Sequence, residues 1–210
     1  DARRALGLPL DRTIILSVGG LNEGKGHHRV AAQLPELAKR FPDLLFVIVG
    51  GERAGETSRP LIESTAARLG VSERVRLVGE RSHDEIATWL AAADLFCLAT
   101  RSEGWANVLL ESLACGTPVV STRVGGNAEI VSHEGLGILV PAQDDRALAA
   151  AIREGLERRW DPRLLVAHAQ AHSWDSAVRG VVEEFQGVLG RGRRAGAIAG
   201  LAEPESGERP

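Results

Sequence analysis

Two carboxylates and one lysine carry the chemistry this sequence can offer. Glu103 and Glu111 stand eight residues apart in the run SEGWANVLLESLACGTP, residues 102–118. Glu103 falls in a loop that follows an apolar run. Glu111 falls one or two turns into the next helix. Gly104 lets a backbone approach a ligand closely. The unpaired N–H groups around Ala106, Asn107 and Val108 open a helix, where anions are favoured. A carboxylate pair is also what glycoside hydrolysis uses. The plainer roles are a dipole or capping contact for Glu103 and a solvated helix face for Glu111. Val108, Leu109, Leu110, Leu113 and Ala114 flank Glu111 and argue against a merely solvated face.

Lys25 belongs to a second constellation, GGLNEGKG, residues 19–26. Gly19 and Gly20 allow backbone N–H groups to turn towards an anion, the following helix adds its positive end, and Lys25 adds a full charge. The run from Gly19 to Lys25 fits the first seven places of a nucleotide-binding P-loop. Gly26 stands where Ser or Thr would hold magnesium, and no apolar strand ends in the Asp of a Walker-B element. A plain tight turn competes with the phosphate reading for this loop taken alone. His27 and His28 follow it and are expected to cap the helix or lie at the surface. His168 and His172 have i, i+4 spacing on a helix, but no third metal ligand stands near them. Cys97 and Cys115 read as small core residues.

The elements around these residues alternate. Apolar runs at 13–18, 44–49, 74–78, 95–99, 118–121 and 137–140 read as strands. Helical stretches fit 27–40, 58–69, 83–93, 106–115, 127–132, 144–158, 161–171 and 174–189. The strand runs are continuously apolar, which suits a parallel sheet covered on both faces. Strand-then-helix alternation predicts an α/β, Rossmann-like, doubly wound sheet. Ligands of such sheets sit beyond the strand carboxyl ends. The loops there begin at Gly19, Gly50, Gly79, Thr100 and Thr122. Residues 1–189 are expected to form one domain, and the Gly-, Arg- and Pro-rich residues 190–210 a flexible tail.

Composition narrows the class. Of the 210 residues, 44% are hydrophobic and 24 are Gly, which is enough for one sizeable core. A net charge of -3 argues against a nucleic-acid binder. No apolar run approaches the roughly 20 residues that span a bilayer, and no signal peptide opens the sequence. Two cysteines exclude a disulfide framework and favour the cytoplasm, with peripheral attachment to a membrane left open. The sequence lacks Met altogether and reads as a piece of a longer one.

The run SEGWANVLLESLACGTPVVSTRVGGNAEIV resembles the signature of retaining glycosyltransferases of the GT-B fold, glycosyltransferase family 4 (group 1). LSVGGLNEGKG, FVIVGG, VRLVGE, AAADLFCLAT, GILVPAQD and the late HSW extend the resemblance from about Leu6 to about Leu189. It implies the carboxyl-terminal, donor-binding half of a GT-B fold, with an acceptor held by an amino-terminal domain. It also implies roles. Lys25 would pair with the diphosphate of a nucleotide sugar. Gly19 and Gly20 would frame that site. Backbone N–H groups from Trp105 to Val108, with Gly104 and Asn107 nearby, would hold phosphate oxygens. Glu111 would bind the ribose, and Glu103 the sugar hydroxyls near the reacting carbon. The loops at 50–54 and 79–82 would enclose the base.

No cofactor or metal is expected, since cations and helix ends would stabilise the departing diphosphate. One departure stands out. Gly20 occupies a place where members of the family commonly carry Arg, so either Arg53 or Arg101 substitutes for it or stabilisation of the leaving group is weaker. A non-catalytic sugar-nucleotide-binding module and a GT-B-fold sugar-nucleotide epimerase are the alternatives. The Glu103–Glu111 spacing counts against the epimerase.

Overall fold

A computed structural model describes residues 2–186 apart from 54, 174, 177 and 180. Contacts group the residues up to Gln170 into one compact unit and those from Ala171 into a second. The first unit carries six parallel strands. They are β1 (Ile14–Val18), β2 (Leu45–Val49), β3 (Val75–Gly79), β4 (Leu95–Leu98), β5 (Val119–Thr122) and β6 (Gly137–Val140), in the order β3-β2-β1-β4-β5-β6. Chain direction across the sheet reverses between β1 and β4, which lie side by side with Ile15 against Leu95 and Leu16 against Phe96. That reversal opens a crevice at the carboxyl ends of the strands.

The helices are α1 (Ala2–Ala5), α2 (His27–Arg40), α3 (Arg59–Arg68), α4 (His83–Ala92), α5 (Asn107–Ala114), α6 (Asn127–Ile130), α7 (Asp145–Glu157) and α8 (Pro162–Ala171). Side chains alternate along each strand, so the sheet feeds two cores. Leu16, Val47, Phe96 and Val119 pack on one face with Trp89, Leu90, Leu109, Leu113 and Leu165. Ile15, Phe46, Ile48, Cys97 and Val120 pack on the other with Val30, Leu34, Ile62, Leu148 and Ile152. The central strands β1, β2, β4 and β5 are buried almost throughout, whereas the edge strand β3 is only half-buried. Burial on both faces is what the unbroken apolar runs encode.

The expected strands and helices all fall within a residue or two of those observed, up to Ala171. The single turn α1 was not expected, since four residues carry no readable period. The second unit is described only in part: Ser176 donates its N–H to the Ser173 hydroxyl at 3.3 Å, and the described residues from 175 to 186 are helical. The expected tail, 190–210, lies outside the described residues, as do parts of the helix expected at 174–189.

His27 differs from its expected surface or capping role. It is 1% exposed, because α2 places it beneath the loop that joins β1 to α2. Burial lowers its pKa to about 4, and the Gly19 and Gly20 carbonyls only partly oppose that shift. Neither ring nitrogen has a hydrogen-bond partner among the described residues.

Two predictions follow from this packing. A Cβ on Gly26, whose φ is +71°, would fall 2.1 Å from the Ala99 carbonyl oxygen, whereas one on Gly70, φ +66°, would meet nothing within 4 Å. Gly70→Ala is expected to cost about 1–2 kcal/mol from the left-handed backbone alone. Gly26→Ala adds a backbone clash and is expected to cost clearly more in urea unfolding. Equal losses would show that the close approach to β4 does not matter. His27 gives the second. The unfolded chain protonates this histidine near pH 6.5 and the folded chain near 4, so the unfolded state binds more protons between those values. Stability from His27 is therefore complete above pH 6.5, falls as the pH drops towards 4, and levels off below. The loss is on the order of 3 kcal/mol. Urea unfolding of wild type and His27→Gln across pH 7 to 4 should show this extra loss in the wild type only, and parallel curves would refute a buried neutral ring.

Candidate functional site

The loops after β1 and β4 meet at the crevice. The β1–α2 loop leaves the sheet at Gly19, whose N–H donates to the Val49 carbonyl at 2.9 Å. Asn22 then caps a single 3-10 turn, Glu23–Lys25, by accepting the Lys25 N–H at 3.2 Å. Gly26 ends the turn in the left-handed region and starts α2. This explains why position 26 cannot carry the magnesium-binding hydroxyl of a P-loop: its conformation and the Ala99 backbone both demand glycine. The Lys25 stem then packs over Gly19, where a Cβ would lie 3.5 Å from Cδ.

The β4–α5 loop is tied to the first loop through its backbone. Arg101 donates its N–H to the Gly24 carbonyl at 2.7 Å. The buried Thr100 hydroxyl lies 3.1 Å from the Gly24 carbonyl oxygen and 3.0 Å from that of Ser102. These contacts bring Lys25 and Glu103 together, with Nζ 2.5 Å from Oε1. Both side chains are mostly covered, at 29% and 12% exposure, so the pair is shielded from the water that weakens surface ion pairs. The sequence placed both residues at the crevice but did not reveal that they touch.

Glu103, Gly104 and Trp105 rest on a third loop, after β5. Gly126 donates its N–H to the Gly104 carbonyl at 2.8 Å. A Cβ on Gly125 would fall 1.8 Å from the Glu103 carbonyl oxygen, and one on Gly126 2.5 Å from Cε3 of Trp105. The Trp105 ring therefore lies on Gly126, with 42% of the residue exposed. Nothing stands within 4 Å of a Cβ on Gly104, so the crevice side of the loop is open. Below it Thr122 donates its hydroxyl to the Thr100 carbonyl at 2.6 Å. The buried Asn127 amide donates to the Thr122 carbonyl at 3.0 Å. Gly125, Gly126, Thr122 and Asn127 were not singled out as site residues. Their signal was the V-G-G-N run, which needs the third loop's position to be interpreted.

Helix α5 begins at Asn107, with the buried Ala106 before it and no side chain capping this end. Its uncapped end is free to receive an acceptor from a ligand. Val108 is half-buried and Asn107 exposed. Glu111 lies in the second turn, half-buried, and its carboxylate makes no hydrogen bond or ion pair among the described residues. Its charge helps burial to raise the thiol pKa of Cys115, one turn on. Cys97, wholly buried in β4, has its thiol pushed up to about 12 by burial and is an inert core residue.

Gly20, Leu21, Asn22, Lys25, Gly51, Arg53 and Glu56 line a small cleft of about 240 Å³. The expected enclosing loops meet beside it, where a Cβ on Gly51 would lie 3.0 Å from a Glu80 carboxylate oxygen. Arg101 points elsewhere, with its guanidinium 3.5 Å from Glu23. Burial lowers the pKa of His28, with Glu23 partly opposing. His168 Nε2 lies 2.8 Å from the Ile130 carbonyl oxygen. No group of three or more His, Cys, Asp or Glu among the described residues could hold a metal ion. No helix among them is long and apolar enough to cross a membrane.

Comparisons with known proteins agree with this architecture. The family model described as glycosyl transferases group 1 matches residues 1–172. The chain is 35% identical over 196 residues to a D-inositol 3-phosphate glycosyltransferase of Corynebacterium urealyticum, covering 90% of the chain and 46% of the relative. It is 36% identical over 208 residues to the protein of the same description from Thermobispora bispora, covering 92% and 47%. Among solved structures, a sucrose-phosphate synthase from Thermosynechococcus elongatus superposes with a TM-score of 0.77 at 30% identity, covering 91% of this chain and 49% of that one. HepE of Anabaena, solved in complex with UDP, shares the fold at 24% identity and a TM-score of 0.74, covering 88% and 51%. The chain thus spans about half the length of the curated relatives it matches. With a doubly wound six-stranded sheet, a glycine-framed crevice and a family match across residues 1–172, the chain belongs to the glycosyl transferases group 1.

Proposed function

We propose that this chain is the donor-binding, carboxyl-terminal half of a retaining GT-B glycosyltransferase, taking a nucleotide diphosphate sugar whose sugar passes to an acceptor held elsewhere in a longer protein. The observation that carries the reading is the meeting of Lys25 and Glu103, from two different loops, at the reversal between β1 and β4. A cation there faces the charge that develops on a departing diphosphate. The uncapped N-terminus of α5, from Trp105 to Val108, offers N–H groups to the same oxygens, apart from that of Asn107, which donates to the Trp105 carbonyl at 3.1 Å. Glu103 then reaches the sugar hydroxyls, and Glu111, whose carboxylate has no partner among the described residues, accepts from the ribose. The relatives' description as D-inositol 3-phosphate glycosyltransferases supports glycosyl transfer as the reaction. HepE, a neighbour in fold, has been solved with UDP and glucose, which supports a nucleotide-sugar ligand for this crevice.

Calorimetric titration tests the roles separately. Lys25→Ala should weaken UDP, GDP or ADP, whichever binds, roughly tenfold to more than a hundredfold, because a charge-assisted contact is worth about 1.5–3 kcal/mol. It should leave the matching nucleoside almost unchanged. Glu111→Ala should weaken nucleoside and diphosphate alike, since both carry the ribose. Unchanged diphosphate affinity in a folded Glu111→Ala would remove the ribose role. Titration in EDTA should match titration without it, and a loss restored by magnesium or manganese would replace the lysine-and-helix account with a metal. Binding by a longer protein that transfers no sugar would favour a non-catalytic module.

A further inference from the structure

The cleft at Gly20 contains two cations in different states. Lys25 is already matched, with its ammonium 2.5 Å from the Glu103 carboxylate. Arg53 lines the same cleft and is exposed, and its guanidinium makes no ion pair or hydrogen bond among the described residues. Its backbone is nevertheless placed, since the Glu56 N–H donates to the Arg53 carbonyl at 3.0 Å. Glu56 also lines the cleft, but its carboxylate makes no ion pair with Arg53. Arg101, the other arginine near these loops, is drawn towards Glu23 at 3.5 Å. Arg53 is therefore the cleft cation whose charge remains unmatched among the described residues. The cleft's volume of about 240 Å³ falls below the roughly 300–1,000 Å³ of sites for whole drug-sized ligands. It suits a compact anionic fragment.

We infer that Arg53 is the first cation to engage the diphosphate of the donor, meeting it while Lys25 is still held by Glu103. The assignment rests on the donor-site reading and deepens it. A diphosphate entering the cleft meets a neutral Lys25–Glu103 pair, the Glu56 carboxylate and one guanidinium that no carboxylate among the described residues holds. The planar fork of arginine can bond two phosphate oxygens at once. Lys25 joins only when the diphosphate outcompetes Glu103, and that exchange frees Glu103 to turn to the sugar. Gly20 adds a structural check. Its φ is not left-handed, and a Cβ there would have only Asn22 Nδ2 at 3.6 Å and the Gly51 carbonyl oxygen at 3.9 Å as neighbours. A longer side chain can therefore enter the cleft from position 20.

The test titrates inorganic pyrophosphate, UDP, GDP, ADP and the matching nucleosides into wild type, Arg53→Ala, Arg53→Lys, Arg101→Ala and Arg53→Ala/Gly20→Arg. Arg53→Ala is expected to weaken pyrophosphate and the bound diphosphate about tenfold to a hundredfold, as for other charge-assisted contacts, with nucleoside affinity unchanged. Arg53→Lys should keep part of the affinity, Gly20→Arg should restore most of it, and Arg101→Ala should change it less than about twofold. The exposed Arg53 side chain has no partners to lose among the described residues, so the variants should unfold at the wild-type temperature. Wild-type affinity in Arg53→Ala, or a loss carried by Arg101→Ala instead, would overturn the assignment and leave the donor site standing. Failure of wild type to bind any of the diphosphates would overturn the donor-site reading itself, and this assignment with it.

Discussion

Backbone lies directly on backbone at the carboxyl ends of the strands, and the rest of the site depends on that contact. Three glycines make it possible. Gly50 abuts the Gly19 carbonyl, Gly26 the Ala99 carbonyl, and Gly125 the Glu103 carbonyl; a Cβ at each would come within 1.8 to 2.1 Å of oxygen. No heavy atom can occupy such a position, so these are sites where side-chain absence is the requirement. The gain is proximity. Loops from β1, β4 and β5 are held close enough for residues 78 positions apart, Lys25 and Glu103, to form a direct bond. A parallel sheet alone would leave those loops side by side without contact.

The buried polar groups beneath the loops serve the same end. Asn127 bonds the Thr122 carbonyl, Thr122 bonds the Thr100 carbonyl, and Thr100 reaches the Gly24 carbonyl. Each step gives a carbonyl a side-chain donor, and the Gly24 and Thr122 carbonyls also accept the Arg101 and Val124 N–H groups. Together they form a continuous line from the third loop, through the end of β4, to the loop that carries Lys25. Ser121 adds a parallel bond to the Leu98 carbonyl at 3.0 Å. Apolar side chains would hold the sheet equally well but would leave these strand ends free to shift. Hydroxyls and an amide fix their relative positions in the directional way that a preorganised charge site needs.

Much of this was legible in the sequence. Unbroken apolar runs revealed strands buried on both faces, and their alternation with helices revealed the winding. Strand order was not readable, because periodicity states which residues are buried and not which strands are neighbours. In the site, residue type and loop position were enough to single out Lys25, Glu103, Glu111 and the start of α5. Pairing escaped because it is a tertiary fact: nothing local relates residue 25 to residue 103. His27 was misread for a similar reason. A histidine after a glycine-rich loop is ordinarily a surface residue, and only the packing of α2 under Gly19 and Gly20 buries it. Gly125 and Gly126 were visible as a turn, but their role as the seat for Glu103 and Trp105 depends on where β5 lies.

The charge arrangement that results is economical in a physical sense. A half-buried lysine with no counter-ion would be costly to keep ionised in an empty site, and Glu103 removes that cost. The same pairing holds the Glu103 carboxylate beside the loop glycines instead of in open solvent. An arriving anion must then compete for Lys25, so ligands with little negative charge gain little from it. On the proposed donor-site reading, a diphosphate would exchange with the carboxylate and turn Glu103 from a counter-ion into a free acceptor at the edge of the crevice. Completion of phosphate binding and presentation of Glu103 would then be one event, because both involve the ammonium group held between two loops.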